Sequence, residues 1–467
     1  MGKTMKIAVI GGGPGGYVAA IRAAQLGAEV TLIEKHKLGG TCLNVGCIPT
    51  KSLLHSAECL EEAKHAAEYG IKLNVTGVDW SVVQQKKEQV IGNLVGGIAG
   101  LMKANKIKVL SGTASFHSAN ELSILAEDGA TQKISFDKAI IASGSSAVLP
   151  PIPGLKENPC CVDSSVALSL TEIPKRMLVI GGGVIGVELA SVYRSFGSEV
   201  TIVELAAEIL PFMEQELAVQ LRKNLEKRGI DIFTSAAVKA VKKAKQGASV
   251  AVEIKGKLQD VGADLVLVAT GRKAEISALD LDKAGIKHEN GNVLANEQLQ
   301  TNLPNVYAIG DCLGQVMLAH VASAQGEVAA EHAMGQNAVY RGGVIPSCVY
   351  TSPEFAGVGL TEEQAKAQKK DYIVGKFPMA ANGKALIENG GEGMIKVILG
   401  KQYKEILGIH ILGPRATDLI AECALAISME ATAEDVIQTI HAHPTVAEAV
   451  REAIMAAEKM AIHIPNK

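Results

Sequence analysis

One pattern occurs twice in this chain at a single offset. KIAVIGGGPGG (6–16) is echoed by MLVIGGGVIG (177–186), and LGAEVTLIE (26–34) by FGSEVTIVE (196–204); both pairs are displaced by 170 residues. Each copy reads as a βαβ unit. An apolar, β-branched run leads into Gly-x-Gly-x-x-Gly, a helical segment follows, and a second strand closes on an acid. The first copy supplies Gly11, Gly13, Gly16 and Glu34, and the second Gly181, Gly183, Gly186 and Glu204. The helices are expected over 17–26 and 187–196. The first glycine makes the tight turn, the second lets backbone approach a pyrophosphate, and the third lets helix and strand pack closely. The helix N-terminus then turns its unpaired N–H groups toward the phosphates. Each acid stands 23 residues after its first glycine, where it can accept from a ribose hydroxyl. A lone glycine triplet would be weak evidence, but strand, triplet, helix, strand and acid in order, twice, define two dinucleotide sites.

Glu204 also bears on cofactor choice. A carboxylate there repels a 2′-phosphate, and Leu205, Ala206, Ala207 and Glu208 offer no arginine to receive one. The second site therefore favours NAD over NADP.

Composition narrows the class. The 467 residues are 48% hydrophobic and 20% charged, as expected of a packed globule. Net charge is −3 with mixed signs, which argues against a nucleic-acid protein. No apolar run reaches the roughly 18 residues of a membrane span. The N-terminal lysines and Ile7–Ile10 read as the approach to a strand, not as a signal peptide. The default compartment is the cytosol of a bacterium, with a mature mitochondrial form left open.

Between the copies, LPPIPGLKENP (149–159) reads as a linker, following the strand AIIASGS (139–145). The second copy closes similarly on LVLVATGR (265–272). VKAVKKAKQG (238–247) reads as hairpin or surface strands with solvated lysines. In TNLPNVYAIGD (301–311), a strand ends at Asp311, which suits a cofactor hydrogen bond or an ordinary turn equally on spacing. Past about 345 the texture changes. A strand and a helix capped at Thr361 precede strands near 371–377, 394–399 and 405–412 and helices at 415–430, 432–440 and 445–459. This reads as a separate α+β domain without a nucleotide motif.

The stretch GGTCLNVGCIPTK (39–51) places Cys42 and Cys47 close together, two of eight cysteines in the chain. Structural zinc wants four ligands, and no second Cys/His pair stands close by. A structural staple over so short a loop would remove little chain entropy. A redox pair fits better. On an ideal helix, residues five apart are separated by about 8–9 Å, given the helix rise and radius. A disulfide tolerates less than about 7 Å. The segment must depart from an ideal helix, and Gly46 permits that. Pro49 suits a first helical turn, so Cys47 lies at a helix start, where the dipole favours a thiolate. Lys51 adds a cation, though a lone lysine is usually just solvated. The vicinal pair Cys160 and Cys161 falls in the linker, where no catalytic role is expected.

Thiol exchange calls for a base. IHAHPTVAEAVREA (440–453) holds His443 before Pro444, with Glu448 five residues on. Glu448 can orient the imidazole, or merely close a capping box with Thr445. On spacing, His441 is an equal candidate.

These features together resemble the flavin-dependent pyridine nucleotide-disulfide oxidoreductases, class I, over essentially the full chain and in the same order. CLNVGCIPTK, HILGPRATDLI and HAHPT are the specific stretches. The resemblance implies an α/β fold with two Rossmann-like domains and a C-terminal α+β dimerisation domain. It divides the chain into an FAD-binding domain (1–148), an NAD-binding domain (149–274), a central domain returning to the first (275–345) and an interface domain (346–467). FAD would be held by Gly11, Gly13, Gly16 and Glu34, with Ala114, Asp311 and Ala319 as further contacts and Lys51 by the flavin, paired with Glu188. Gly181, Gly183, Gly186, Glu204, Val238 and Gly271 would hold NAD. Cys42 would be the interchange thiol and Cys47 the thiol against the flavin. His443, not His441, would be the base, partnered by Glu448 and delivered to the other subunit of a homodimer. The implied reaction is oxidation of a dihydrolipoyl group. It would be carried by lipoyl domains around the acyltransferase core of a 2-oxoacid dehydrogenase complex, or by the lipoylated glycine-cleavage carrier protein. Glutathione-type relatives use NADP, against Glu204; mercuric-type relatives carry a C-terminal cysteine pair, whereas this chain ends AIHIPNK. The different-class rival is a flavoprotein whose main role is binding within such a complex, or redox sensing. The intact thiol–base set favours turnover.

Overall fold

The computed structural model describes residues 4–466. The two repeats become two five-stranded parallel sheets with the same internal order. In the first, Val306–Ala308, Lys138–Ile141, Lys6–Ile10, Glu29–Glu34 and Lys108–Ser111 lie side by side. In the second the order is Cys161–Asp163, Leu265–Val268, Arg176–Ile180, Glu199–Val203 and Ile230–Phe233. The central strands are apolar and β-branched because both faces are covered; Val9, Leu32, Ile140, Val179 and Ile202 are fully buried. The repeat even preserves register: Lys6 pairs with Glu29 as Arg176 pairs with Glu199.

The edge strands show how the chain is threaded. Val306–Ala308 completes the first sheet from far downstream, while the second sheet takes Cys161–Asp163 from just upstream of its own repeat. Two short strands, Ser145–Ala147 and Arg272–Ala274, pair antiparallel where the chain passes between the lobes. Cys161 thus starts an edge strand and does not sit within the linker; residues 149–160 carry neither strand nor helix. Each lobe also bears a three-stranded antiparallel sheet. The lysine-rich stretch supplies an edge strand of one, Ala236–Lys243 paired with Ala248–Ile254.

The repeat helices begin three residues earlier than the sequence suggests, at Pro14–Gln25 and Val184–Ser195. The third glycine of each motif is therefore helical. Packing explains it. A Cβ on Gly16 would stand 1.8 Å from the Gly11 carbonyl oxygen, and one on Gly186 would stand 2.0 Å from that of Gly181. Gly11 itself has φ +104°, a conformation side chains rarely adopt.

The C-terminal domain is a five-stranded antiparallel sheet in the order Ser347–Val349, Glu354–Gly359, Ile406–Gly413, Met394–Gly400 and Tyr372–Pro378. Thr361 caps Glu362–Ala367 through a full capping box. Helices Ala416–Ser428 and Ala433–Gln438 fall where the sequence suggests. The last helix starts at Glu448, not near 445.

Candidate active site

The thiol segment is two helices broken by one glycine. Gly40–Val45 ends at Gly46, and Cys47–His65 begins at once. A Cβ on Gly46 would stand 2.9 Å from the Thr41 carbonyl oxygen, so the close turn admits only glycine. Breaking the helix brings Cys42 and Cys47 within hydrogen-bonding reach, both as free thiols. Cys47 is the first residue of its helix, where unpaired N–H groups favour a thiolate.

The pair titrates asymmetrically. The hydrogen bond from Cys42 pulls the Cys47 thiol down to about 7, against the effect of burial and with help from the Lys51 charge. The Cys42 thiol is driven far above its ordinary value by its hydrogen bond to Cys47, by burial and by the neighbouring negative charge. The reduced pair therefore sheds one proton around neutral pH, and Cys47 is the member that takes the charge.

Lys51 is paired, not merely solvated. Its helix, Cys47–His65, packs on Val184–Ser195 of the other lobe. Lys51 Nζ reaches buried Glu188 there, at 2.7 Å from Oε2 and 3.0 Å from Oε1. The Tyr350 amide donates to Glu188 Oε1 at 3.0 Å, and the Tyr350 ring centroid lies 4.4 Å from Lys51 Nζ. No local pattern marks Tyr350, because its role depends on a backbone amide from another domain.

Both glycine loops suit a dinucleotide. Gly13 and Gly183 cap their helices in an extended conformation with no side-chain cap, and neither first turn holds an acid. The helix N–H groups are thus left for an anion. A Cβ on Gly183 would meet nothing within 4 Å, and one on Gly13 only Gly40 Cα at 3.8 Å, so each loop presents open space where a pyrophosphate would pass. The acids stay close. Glu34 accepts from the Gly12 and His36 amides at 2.6 and 2.7 Å, and Glu204 from those of Gly182 and Ala206 at 2.5 and 2.6 Å. Each carboxylate braces its own loop and keeps lone pairs for a ribose.

Asp311 lies in a 3₁₀ turn, Gly310–Leu313, and accepts from Ser145 Oγ at 2.5 Å. Arg272 binds the same serine, at 2.7 Å through Nε to Oγ and 2.7 Å through Nη2 to the carbonyl. Ser145 and Arg272 were not anticipated; crossing of two short strands brings them together. Ala319 is the first residue of a helix without a side-chain cap. The Ala114 side chain is buried, so a cofactor contact there would fall to its main chain. Val238 sits at a bulge in its strand, and Gly271 has φ +138° with open space beyond its Cα.

His443 and Glu448 stand apart from this cluster. His443 Nδ1 lies 3.0 Å from Glu448 Oε1, and the imidazole is 82% exposed. Glu448 Oε2 meanwhile accepts the Thr445 amide at 2.9 Å. His441 is spent differently: Nε2 lies 2.8 Å from Glu422 and Nδ1 3.1 Å from the Thr439 carbonyl, with the side chain 6% exposed. Among the described residues, no interaction of Cys42 or Cys47 within the chain involves His443. Exposed apolar side chains surround it in sequence: Leu425, Met429, Ile440, Met460 and Ile462.

Two dinucleotide loops around a thiol pair, with a cation at the base of the second thiol, define a class: flavoproteins that pass electrons between a nicotinamide and a disulfide. Comparison makes this specific. Residues 5–326 match the pyridine nucleotide-disulphide oxidoreductase family and residues 345–454 its dimerisation domain, and the chain belongs to that family. It is 45% identical over 460 residues to the dihydrolipoyl dehydrogenase of Geobacillus stearothermophilus, covering 98% of this chain and 97% of that one. It is 43% identical over 464 residues to the mitochondrial dihydrolipoyl dehydrogenase of Pisum sativum, covering 98% and 92%. Among solved structures it resembles the HOCl-induced flavoprotein disulfide reductase RclA of Escherichia coli, seen as a copper(II) complex, with TM-score 0.87 and 27% identity over 97% and 99% of the chains. The protein is thus an oxidoreductase of a family that uses FAD and NAD, and its dimerisation domain supports a homodimer. No helix among the described residues is long and apolar enough to cross a membrane.

Proposed function

We propose that this enzyme is a dihydrolipoyl dehydrogenase, oxidising protein-bound dihydrolipoyl groups and reducing NAD. The asymmetric pair Cys42–Cys47 carries the reading: the thiol and thiolate are the two halves of a disulfide prepared for exchange. Gly11, Gly13, Gly16, Glu34, Ala114, Asp311 and Ala319 hold FAD; Gly181, Gly183, Gly186, Glu204, Val238 and Gly271 hold NAD. The bound flavin supplies the two-electron relay between the thiols and the nicotinamide.

In the chain's own part of the cycle, His443 of one subunit takes the proton from a dihydrolipoyl thiol through Nε2, while Glu448 fixes the ring through Nδ1. The substrate thiolate attacks Cys42 Sγ in the oxidised pair, and the Cys42–Cys47 bond breaks with the electron pair going to Cys47. The second substrate thiol then displaces Cys42 to close the lipoyl disulfide, handing its proton to Cys42, which leaves as the thiol; the proton held by His443 goes to solvent. Cys47 keeps the thiolate, held by its helix start and Lys51. The exposed dyad, its separation from the thiols within one chain and the dimerisation domain support a base supplied in trans. The natural substrates would be lipoyl domains on the acyltransferase core of a 2-oxoacid dehydrogenase complex, or the glycine-cleavage carrier, in a bacterial cytoplasm or a mitochondrial matrix.

The test is turnover with lipoamide, glutathione disulfide and mercuric ion side by side, using NADH and NADPH. Lipoamide with NADH should dominate. Retained lipoamide turnover in Cys42→Ser would overturn the reading.

A further inference from the structure

The Lys51 ammonium has three donors. Glu188 receives it through both carboxylate oxygens, and the Tyr350 ring covers it at 4.4 Å. The same tyrosine's amide holds Glu188 Oε1 at 3.0 Å, so one residue touches both members of the pair. Tyr350 follows the strand Ser347–Val349, the edge of the interface-domain sheet. Lys51 lies one helical turn beyond Cys47, on the same face of Cys47–His65. A contiguous path therefore runs from the interface sheet through Tyr350 and the Lys51–Glu188 pair to the flavin-side thiol.

We propose that Tyr350 is a positioning residue: it clamps the Lys51 ammonium beside Cys47, and so ties the seating of the interface domain to the charge on the redox pair. Without the ring over it, a lysine on a flexible stem swings away from Cys47 toward solvent, while the main-chain amide at position 350 keeps its bond to Glu188 Oε1. Cys47 responds to both groups, since the Lys51 charge lowers its titration and the Glu188 charge raises it. Other groups bear on the tyrosine: Cys348, Glu354 and Asp418 lie near enough to act on its phenol, which burial pushes up to about 12. The phenol stays neutral through the working range, so the ring acts through its face, not its charge.

This inference rests on Cys47 being the flavin-side thiol, which Cys42→Ser tests separately: with Cys47 the only thiol of the pair, the thiolate–flavin absorbance should persist, and its loss would overturn that reading. Its own readout is spectroscopic. In the two-electron-reduced holoenzyme, the absorbance that a thiolate contributes beside oxidised flavin is titrated with pH. Tyr350→Phe, which keeps ring and amide, should titrate as wild type. Tyr350→Leu should shift the midpoint upward by about half a pH unit or more, the scale of a partly buried cation–π contact. In a Lys51→Met background, Tyr350→Leu should add no further shift. If the leucine variant folds poorly, Tyr350→Met fills similar space without a π face. An unshifted titration in the folded leucine or methionine variant overturns the proposal. So does an equal shift in Tyr350→Phe, or a full shift that persists without Lys51.

Discussion

Glu448 serves two neighbours with one carboxylate: Oε1 lies 3.0 Å from His443 Nδ1, and Oε2 accepts the Thr445 amide at 2.9 Å. The ring and the turn that presents it are thereby fixed together. The capping box does not form: the helix begins at Glu448 itself, after Ala447, and the Thr445 hydroxyl turns back to the Ala442 carbonyl at 2.7 Å. Burial works against ionisation of Glu448, but the Thr445 and His443 hydrogen bonds hold it below the usual carboxylate value. His443→Gln should lower lipoamide turnover by about 10²-fold or more, while NADH-driven reduction of a dye, which bypasses the thiols, continues. His441→Gln should change lipoamide turnover only slightly. Steady-state assays of both variants with both acceptors check this; equal losses in the two histidine variants would contradict it.

The thiol pair makes the reduced protein's stability depend on pH. The folded value of Cys47, about 7, lies below that of an unfolded thiol. Its contribution is therefore fully present above an unfolded value of about 8.5 and is lost as pH falls through 7. Cys42 is shifted the other way, so its contribution is lost only at high pH. Denaturant unfolding of the reduced enzyme should show stability rising between pH 7 and about 8.5 relative to Cys47→Ser. A flat difference across that window would contradict the asymmetry.

The nucleotide loops separate binding from folding. Alanine at Gly183 meets no atom within 4 Å, whereas alanine at Gly186 collides with the Gly181 carbonyl at 2.0 Å. Gly183→Ala should keep the wild-type melting temperature and raise the KM for NADH about tenfold or more, through lost close approach of backbone to pyrophosphate. Gly186→Ala should lower the melting temperature itself. Thermal melts beside NADH titrations distinguish the two effects.

In the proposed reading, cofactor choice rests on Glu204, whose oxygens already brace Gly182 and Ala206. Glu204→Ser with Leu205→Arg removes the repulsion and supplies a cation for a 2′-phosphate. The ratio of kcat/KM for NADH over NADPH should fall by about 10²-fold, as expected for one charge reversed at a phosphate contact. An unchanged ratio would show that another group selects the nicotinamide.

Lys396 is buried within the C-terminal sheet and bonded to Glu214, Glu216 and Glu362 at 2.8, 2.9 and 2.5 Å. Glu214 and Glu216 belong to the lobe built on the second repeat, so this cluster fastens that lobe to the interface domain. Lys396→Met would strand the buried Glu214 carboxylate and should cost about 3–5 kcal/mol. Burial opposes ionisation of Glu214 and Glu216, but the lysine hydrogen bonds hold both below their usual values. Their contribution is present above the unfolded value near 4.3 and lost as pH falls through the lower folded one. The variant's deficit should therefore shrink in acid, as denaturant melts from pH 7 to pH 3 would show.

The repeat was legible because strand period, glycine spacing and a closing acid are all local, and a 170-residue offset copies them intact. The helix starts at Pro14 and Val184 were missed because a glycine cluster reads as loop until the close packing of its third member is seen. The thiol segment was legible for a related reason: the spacing excluded a continuous helix, and Gly46 marked the break. Tyr350, Ser145 and Arg272 left no comparable mark, since a tyrosine amide on a carboxylate or an arginine on a serine is set by where distant strands end. On spacing His441 and His443 were equal, and resemblance alone chose His443; the fold gives them different surroundings, burying one ring between Glu422 and the Thr439 carbonyl and leaving the other's Nε2 open.

The sequence by itself determined two dinucleotide lobes, a thiol pair at a helix start and an unrelated C-terminal domain, because each follows from backbone sterics and periodicity within a few dozen residues. Tertiary structure decided which groups charge the pair. Lys51 meets Glu188 only because helices of two lobes pack together, and Tyr350 closes over them only because a third domain's sheet ends there. Contacts between residues more than a hundred positions apart are fixed by packing of whole elements, and no local pattern encodes them.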